Sequence, residues 1–383
     1  MALPITFYAS SIAYVVGILS LTSYRPFSTR VILWTVIATS NAIAVANAKN
    51  FTPDMFYNWW WTLLSIQQTL FMGFLYRLDR ANLVIPEQLP YHQRVLHAWA
   101  IFWNYRGIGT PWQISYIPPE RVLGFQVERP TTRRRFLKIR TFNFLVMFLA
   151  LCVWTDPLLA PQFRPEDFAA DKEPFFRRIN QVTLREFMFR TWITFQHVIP
   201  SWLTFSLVHT SISISAVLLG GRPEEWPPLF GSIFEAYSVR RYWRYFWHPI
   251  IRRSFTSTGS LLLEHVAGID TETQLHRTSN TFVVFFLSSL MHYAAESHWI
   301  NWKEGQVTLW WWSLQAPIIL VEELVQPIYS ENKPRLEKAL GVRIGHGWER
   351  LFGHAWLLFF WFWSVPRLEY AKHRPLWEAI LSE

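Results

Sequence analysis

Eight stretches of the chain are apolar over close to the length that crosses a bilayer as helix. They are Ile5–Leu21, Val31–Ala48, Trp59–Tyr76, Thr141–Ala160, Thr191–Gly220, Thr281–Ile300, Val307–Val325 and Ala355–Ala371. A span needs roughly 20 mostly apolar residues to cross about 30 Å of hydrocarbon. The pattern therefore predicts an all-helical, polytopic transmembrane bundle of about eight spans. Thr191–Gly220 contains Pro200, so it is read as one kinked helix or a broken one. Thr281–Ile300 and Val307–Val325 form a pair joined by a short loop. Val95–Trp103 is too short to span and is expected to lie at the interface.

The polar stretches orient these spans. Met1–Pro4 carries no Lys or Arg, whereas Arg25 and Arg30 follow the first apolar run. That order predicts a retained first span with its N-terminus outside the cytosol, not a cleaved signal peptide. Arg77–Arg140 holds eleven Lys and Arg against four Asp and Glu, which marks it as cytosolic. Pro161–Arg190 is nearly balanced, as the far side should be. Lys49–Asn58 is then lumenal and contains the glycosylation sequon Asn50-Phe51-Thr52. Gln326–Gly353 reads as a basic, polar connection.

Composition agrees with the bilayer and narrows the partners. Hydrophobic residues make up 51% and charged ones only 16%, where soluble domains carry about a quarter charged. The 23 Trp suit a chain with extensive bilayer interface. The net charge of +9 lies between apolar runs, which argues for an anionic lipid surface or anionic cosubstrate and against nucleic acid. With no linker, internal repeat or low-complexity tract, residues 1–383 are read as a single domain. Cys152 is the only cysteine, so an intrachain disulfide or a cysteine-built zinc site is impossible. It is expected to be a small buried hydrophobe.

Candidate chemistry concentrates in Trp226–Phe255, which packs five arginines among tryptophans, and in the apolar run after it. His292 lies midway along Thr281–Ile300. An ionisable group at that depth is a functional hypothesis, set against an interhelical hydrogen bond. Ser288 and Glu296 stand four residues to either side on the same helical face, where either can hold one imidazole nitrogen. His197 and His209 lack such company and are read as structural. There is no His-Glu-x-x-His, Walker or Gly-x-Ser-x-Gly motif. Gly107-Ile108-Gly109 is read as a tight turn. A base between apolar walls, arginines at a cytosolic mouth and no nucleophile motif suit direct transfer from an activated acyl donor. Acyl-CoA is the obvious donor, since its phosphates need cations. Most of the arginines read equally well as cytosolic anchors.

Ser238-Val-Arg-Arg-Tyr-Trp-Arg-Tyr-Phe-Trp-His248 resembles the Ser-x-Arg-x-Phe-Trp-x-x-x-Trp-His-Gln signature of wax-synthase-like membrane-bound O-acyltransferases. Phe286-Leu-Ser-Ser-Leu-Met-His292 resembles that family's Phe-x-Ser-Gly-x-x-His segment, and Leu320-Val-Glu-Glu-Leu-Val325 its Leu-Glu-Asp stretch. Asn104–Gly109 and Trp226-Pro-Pro-Leu-Phe-Gly231 are similar to the fungal branch, many of whose members acetylate terpenoid or meroterpenoid alcohols. The matches run in family order over a core of about residues 104–325.

The resemblance implies a multi-pass protein of the endoplasmic reticulum with His292 as the catalytic base. His248 would face it, positioning the alcohol or stabilising the developing oxyanion. Arg240, Arg252 and Arg253 become candidates for CoA phosphates, Trp243 and Trp247 for walls, and Glu322 for support. It further implies acetyl-CoA as cosubstrate, no metal, and a lipophilic alcohol as acceptor. Two departures stand out: Pro249 replaces the usual Gln, and Ser289 replaces a Gly beside His292, narrowing the space as a small acyl group would suit. A long-chain wax synthase and a non-catalytic transporter or binder are the rival readings.

Overall fold

A computed structural model describes residues 4–50, 54–83, 85–130, 132–156 and 162–382. The helices in chain order are α1 (Ile5–Ser20), α2 (Phe27–Ala46), α3 (Met55–Leu75), α4 (Arg80–Leu83), α5 (Tyr91–Phe102), α6 (Arg133–Trp154) and α7 (Leu184–Leu218). After them come α8 (Val239–Arg241), α9 (Arg252–His265), α10 (Gln274–Glu296), α11 (Trp302–Leu340) and α12 (His346–Ser382). Among the described residues the one sheet is a two-residue antiparallel ladder, Arg121–Val122 with Phe125–Gln126. Leu123 and Gly124 turn it at positive φ.

Short polar side chains start most of the helices that matter to the site. Asp54 accepts from the Phe56 and Tyr57 amides at α3, Thr183 from Glu186 at α7, Ser238 from Arg241 at α8, and Thr273 from His276 at α10. Each satisfies an amide that the helix itself leaves without a partner.

The chain forms two compact units, interleaved in sequence. The first takes Met1–Ser115 and Ile250–Ala316, the second Tyr116–Pro249 and Pro317–Glu383. Helix α11 therefore contributes to both, changing unit at Pro317. In the first unit α1, α2, α3 and α5 share a core that includes Ala13, Ile37, Phe71, Leu75 and Phe102. Gly17 is required there, because a Cβ would stand 2.5 Å from the Phe102 ring. Leu63, Phe255, Met291 and Ala295 form a second cluster, tying α3 to α9 and α10. Arg30 donates to the carbonyls of Tyr76 and Leu78, so a buried cation from α2 closes the C-terminal end of α3.

In the second unit α6 and α7 run antiparallel. Arg133 near the start of α6 donates to the Leu218 carbonyl at the end of α7, and Trp154 donates to Gln196 at the other end. Phe168, Phe189, Ile193 and Tyr370 join α7 to α12. His197 pairs with Glu369 at 2.7 Å across the same contact, the structural role expected of it.

Each of the eight apolar windows overlaps one helix among the described residues: α1, α2, α3, α6, α7, α10, α11 and α12 in turn. Among the described residues three helices are long and apolar enough to cross a membrane: α2, α6 and α7. The others are short, as α1 is, or interrupted by polar residues. Helix α3 buries Asn58, Thr62, Ser65, Gln67 and Gln68, and α10 buries Ser288, Ser289, His292 and Glu296. The outward faces of α1, α2 and α6 are strongly apolar, with Ile32, Leu145 and Leu149 among the exposed side chains. Contiguous apolar surface of that kind belongs against lipid.

Several expectations need correction. Thr191–Gly220 is neither broken nor confined to that window; α7 is continuous for 35 residues through Pro200. Gln326–Gly353 is not a polar loop, since α11 runs on through Pro327 and Pro334 to Leu340. A proline costs a helix about 3 kcal/mol, which tertiary packing can offset. Cys152 is exposed, not buried, because α6 packs along one side only and Cys152 lies on the other. Phe51 and Thr52 of the sequon, and residues 157–160 at the end of the fourth window, lie outside the described residues.

Candidate active site

His292 sits on the buried face of α10 with Ser288, Ser289, Ala295 and Glu296. Its Nδ1 lies 2.8 Å from the Ser288 main-chain oxygen, against 3.4 Å to the Ser288 hydroxyl. A carbonyl only accepts, so Nδ1–H donates to it. In the neutral ring this leaves Nε2 as the basic nitrogen. The helix thus sets the tautomer through its own i−4 carbonyl, and the expected holder of the ring is the Ser288 backbone instead of its side chain. Glu296 instead accepts from Thr308 Oγ1 on α11.

Aromatic walls enclose the imidazole. The Trp312 ring lies flat on it, with centroids 3.6 Å apart and planes inclined by 17°. Trp59 of α3 stands 6.3 Å away. Around this pair lies a buried polar lattice. Thr62 bonds His298, the Ser254 hydroxyl donates to Gln67, and Gln67 donates to the Ile250 carbonyl. Buried polar groups are tolerated when hydrogen-bonded, and these are. The arrangement leaves Nε2 as the acceptor nitrogen of a ring held by the Ser288 carbonyl and stacked on Trp312.

The signature segment occupies the second unit. Ser238 caps α8, which passes into a single π turn, Tyr242–Phe246, ending with the Trp247 amide on the Tyr242 carbonyl. Such turns are rare and often functional. Trp247 stacks on Tyr242, and His248 is ringed by Phe205, Phe230 and Trp247 at 4.5, 5.6 and 5.3 Å. Trp243 packs edge-on to Tyr242. Gly231 donates to the Phe246 carbonyl, and a Cβ at Gly231 would come within 1.8 Å of the Tyr245 carbonyl oxygen. The glycine of Trp226–Gly231 is thus required by a close backbone approach. Glu322 fastens the start of this segment. Its carboxylate accepts from the Val239 and Arg240 amides and from the Trp356 indole.

The structure groups the sequence candidates by unit. His292, Ser288, Glu296, Arg252 and Arg253 belong to the first; His248, Arg240, Trp243, Trp247 and Glu322 belong to the second. Arg252 opens α9. Arg253 donates to the Gln113 carbonyl and lies over the Phe74 ring, and burial holds its guanidinium below the usual arginine value. Arg240 is exposed and pairs with Glu323 at 3.0 Å. Asn104–Gly109 makes the tight turn expected, with Gly107 and Gly109 at positive φ and Asn104 accepting from the Ile108 amide. Sequence reading missed Trp59, Trp312 and Thr308. The signal was present in two runs of three tryptophans, Trp59–Trp61 and Trp310–Trp312, which read as interface anchors.

Comparison with known proteins reaches the same segments. The model of the membrane bound O-acyl transferase family matches residues 226–313, the stretch that carries both His248 and His292. The chain is 25% identical over 304 residues to acetyltransferase atnC of Arthrinium sp, 26% over 294 to acetyltransferase aurG of Calcarisporium arbuscula, and 26% over 292 to acetyltransferase TRI7 of Fusarium sporotrichioides. These alignments cover 76%, 76% and 72% of this chain and 65%, 68% and 63% of the three relatives. No solved structure matches. The family match centres on the two histidine segments and the relatives extend the similarity over most of the chain, so this chain is similar to members of the membrane bound O-acyl transferase family.

Proposed function

We propose that the protein is an O-acyltransferase that moves an acetyl group from acetyl-CoA to a hydroxyl of a lipophilic terpenoid or meroterpenoid. The observation that carries the reading is the Nδ1–H bond of His292 to the Ser288 carbonyl, which leaves Nε2 as the base. Nε2 takes the proton of the acceptor hydroxyl as its oxygen attacks the thioester carbonyl. The tetrahedral intermediate collapses, the carbon–sulfur bond breaks, and the proton passes from the imidazolium to the departing CoA thiolate. Trp312 and Trp59 keep water from the ring, which protects the thioester from hydrolysis.

His248 is assigned to the acceptor hydroxyl or the oxyanion, and Arg240, Arg252 and Arg253 to the CoA phosphates. Trp243 and Trp247 are assigned as walls, and Glu322 as the group that fixes the signature segment. The reading extends to a multi-pass protein of the endoplasmic reticulum, with eight spans and Arg77–Arg140 in the cytosol. The relatives' names support acetyl as the acyl group over the long chain of a wax synthase.

Membranes containing the protein, given labelled acetyl-CoA or palmitoyl-CoA with cyclic terpenoid or fatty alcohols, test it directly. Acetyl ester of the terpenoid is the expected product; palmitoyl ester of the fatty alcohol would replace the reading with the wax synthase. His292→Gln keeps volume and hydrogen bonding but cannot accept the proton. It should lose about 10²–10⁴-fold in rate with an unchanged thermal midpoint. An active His292→Gln protein would remove the base from the mechanism.

A further inference from the structure

The aromatic walls of His292 are not equivalent, and helix register decides which one acts on the ring. Helices α10 and α11 are joined through residues 297–301. On one rung Thr308 donates to Glu296; one turn further along both helices, Trp312 meets His292. Residues four apart share a helical face, so the Thr308–Glu296 bond holds the register that brings the indole to the imidazole. All four residues belong to the first unit. The contact is a flat stack, with centroids 3.6 Å apart and planes inclined by 17°, so the imidazole lies over the indole face. Trp59, at 6.3 Å and 55°, makes no such stack.

An indole face is the negative side of the ring's quadrupole. A cation within about 6 Å of the ring centroid is attracted to it, most strongly where water is excluded. Both partners are buried here, Trp312 at 8% and His292 at 9% exposure. The chain holds a buried cation in this manner elsewhere. Arg190 of α7, with no exposed surface, lies 4.8 Å over Phe175, 5.5 Å over Phe362 and 5.7 Å over Tyr370. A neutral imidazole gains less from the same field, because it brings no net charge to it. The stack is therefore stronger after His292 has taken a proton than before.

Resting on the acyl-transfer reading, we infer that Trp312 stabilises the imidazolium of His292 through its indole face while the acyl group is in transit. The charge appears when Nε2 takes the proton of the acceptor hydroxyl. It disappears when that proton leaves for the CoA thiolate. Trp312 acts through His292 and is a positioning residue, held in register by Thr308 and Glu296. An interaction that strengthens as charge develops speeds the chemical step and leaves substrate binding alone. A desolvated contact of this kind is worth about tenfold in rate.

The test places 5-fluorotryptophan at position 312 alone, by nonsense suppression, in the full-length protein in phosphatidylcholine nanodiscs. Its fluorine NMR resonance should move between about pH 8 and about pH 5, as the imidazole against it becomes charged. The titratable side chains that share these helix faces are Glu296 on α10 and Glu304 on α11, with His298 beyond the end of α10 and bonded to Thr62. The movement should persist when each of the three is changed to Gln and vanish in His292→Gln. Kinetics with labelled acetyl-CoA and a cyclic terpenoid alcohol give the second readout. Fluorine drains the ring face while nearly keeping its shape. The 5-fluoro, 5,7-difluoro and tetrafluoro tryptophans at position 312 should lower kcat stepwise, to about tenfold, with the acetyl-CoA KM within about twofold. The same series at Trp59 should leave kcat within about twofold. A level kcat series at position 312 or an equal response at Trp59 overturns the assignment. So does a resonance that stays still, or one whose movement survives His292→Gln. A resonance that follows His292 in a protein that transfers no acyl group would sink the acyl-transfer reading and leave the charged stack standing.

Discussion

Changing Glu322 should unfasten the signature segment, and the size of the effect can be worked from its contacts. One carboxylate oxygen accepts from the Val239 amide at 2.7 Å and the Trp356 indole at 2.8 Å. The other accepts from the Arg240 amide at 2.9 Å. With Ser238 on the Arg241 amide, every first-turn amide of α8 is satisfied by a side chain. Glu322→Ala leaves three donors without this acceptor. The Arg240 amide can turn to water, while Val239 is fully buried. A buried donor left unpaired costs about 1–3 kcal/mol, so the alanine variant should lose roughly 2–5 kcal/mol. Glu322→Gln keeps the oxygen that serves Val239 and Trp356 but presents an amide group to the Arg240 amide. It should lose about 1–2 kcal/mol.

Glu323 is the internal control. It pairs with Arg240 where the two side chains are 29% and 45% exposed, a pair worth under about 1 kcal/mol after solvent screening. Thermal midpoints of the detergent-purified variants should therefore fall in the order Glu322→Ala, Glu322→Gln, Trp356→Phe, Glu323→Gln, lowest first. Acetyl transfer should fall with the first two. If Glu323→Gln costs as much as Glu322→Gln, or Glu322→Ala is neutral, the fastening role is wrong.

Gly231→Ala must push the Tyr245 carbonyl from a 1.8 Å clash, so it should cost about 1–3 kcal/mol or more and lower transfer. Gly109→Ala, with open space around it, should cost only the backbone strain of its positive φ; equal midpoints for the two would refute the close-approach reading. Arg240→Ala or Arg252→Ala should raise the donor KM about tenfold with little change for the alcohol, the cost of one charge-assisted bond; equal effects on both substrates would reduce these residues to anchors. Cysteine placed at position 129 should react with an impermeant thiol reagent only from the cytosolic side of sealed microsomes. That experiment uses a Cys152→Ser background, so that the introduced thiol is the only one in the chain.

What could be read from the sequence follows the physics of each feature. The eight windows emerged as helices because hydrophobicity alone places a segment in lipid or core. The burial of His292 was legible because it lies midway along an apolar run, and burying an imidazole costs energy that needs a reason. The tryptophans against it stayed hidden, since Trp59 and Trp312 sit in runs that look like interface anchors, and only packing shows which ring faces inward. Cys152 failed for the same cause: an apolar run carries no face until its neighbour is known. The continuation of α11 through Pro327 and Pro334 depends on packing that a propensity reading omits. Glu322 and Glu323 make the limit plain. Adjacent residues on a helix point about 100° apart, so one carboxylate turns to the α8 amides and the other to an exposed arginine. The Leu-Glu-Asp resemblance put Glu322 forward, but the sequence alone gives no physical ground for choosing it over Glu323. That choice is made by where α8 starts, and α8 starts where Ser238 and Glu322 together can satisfy its amides.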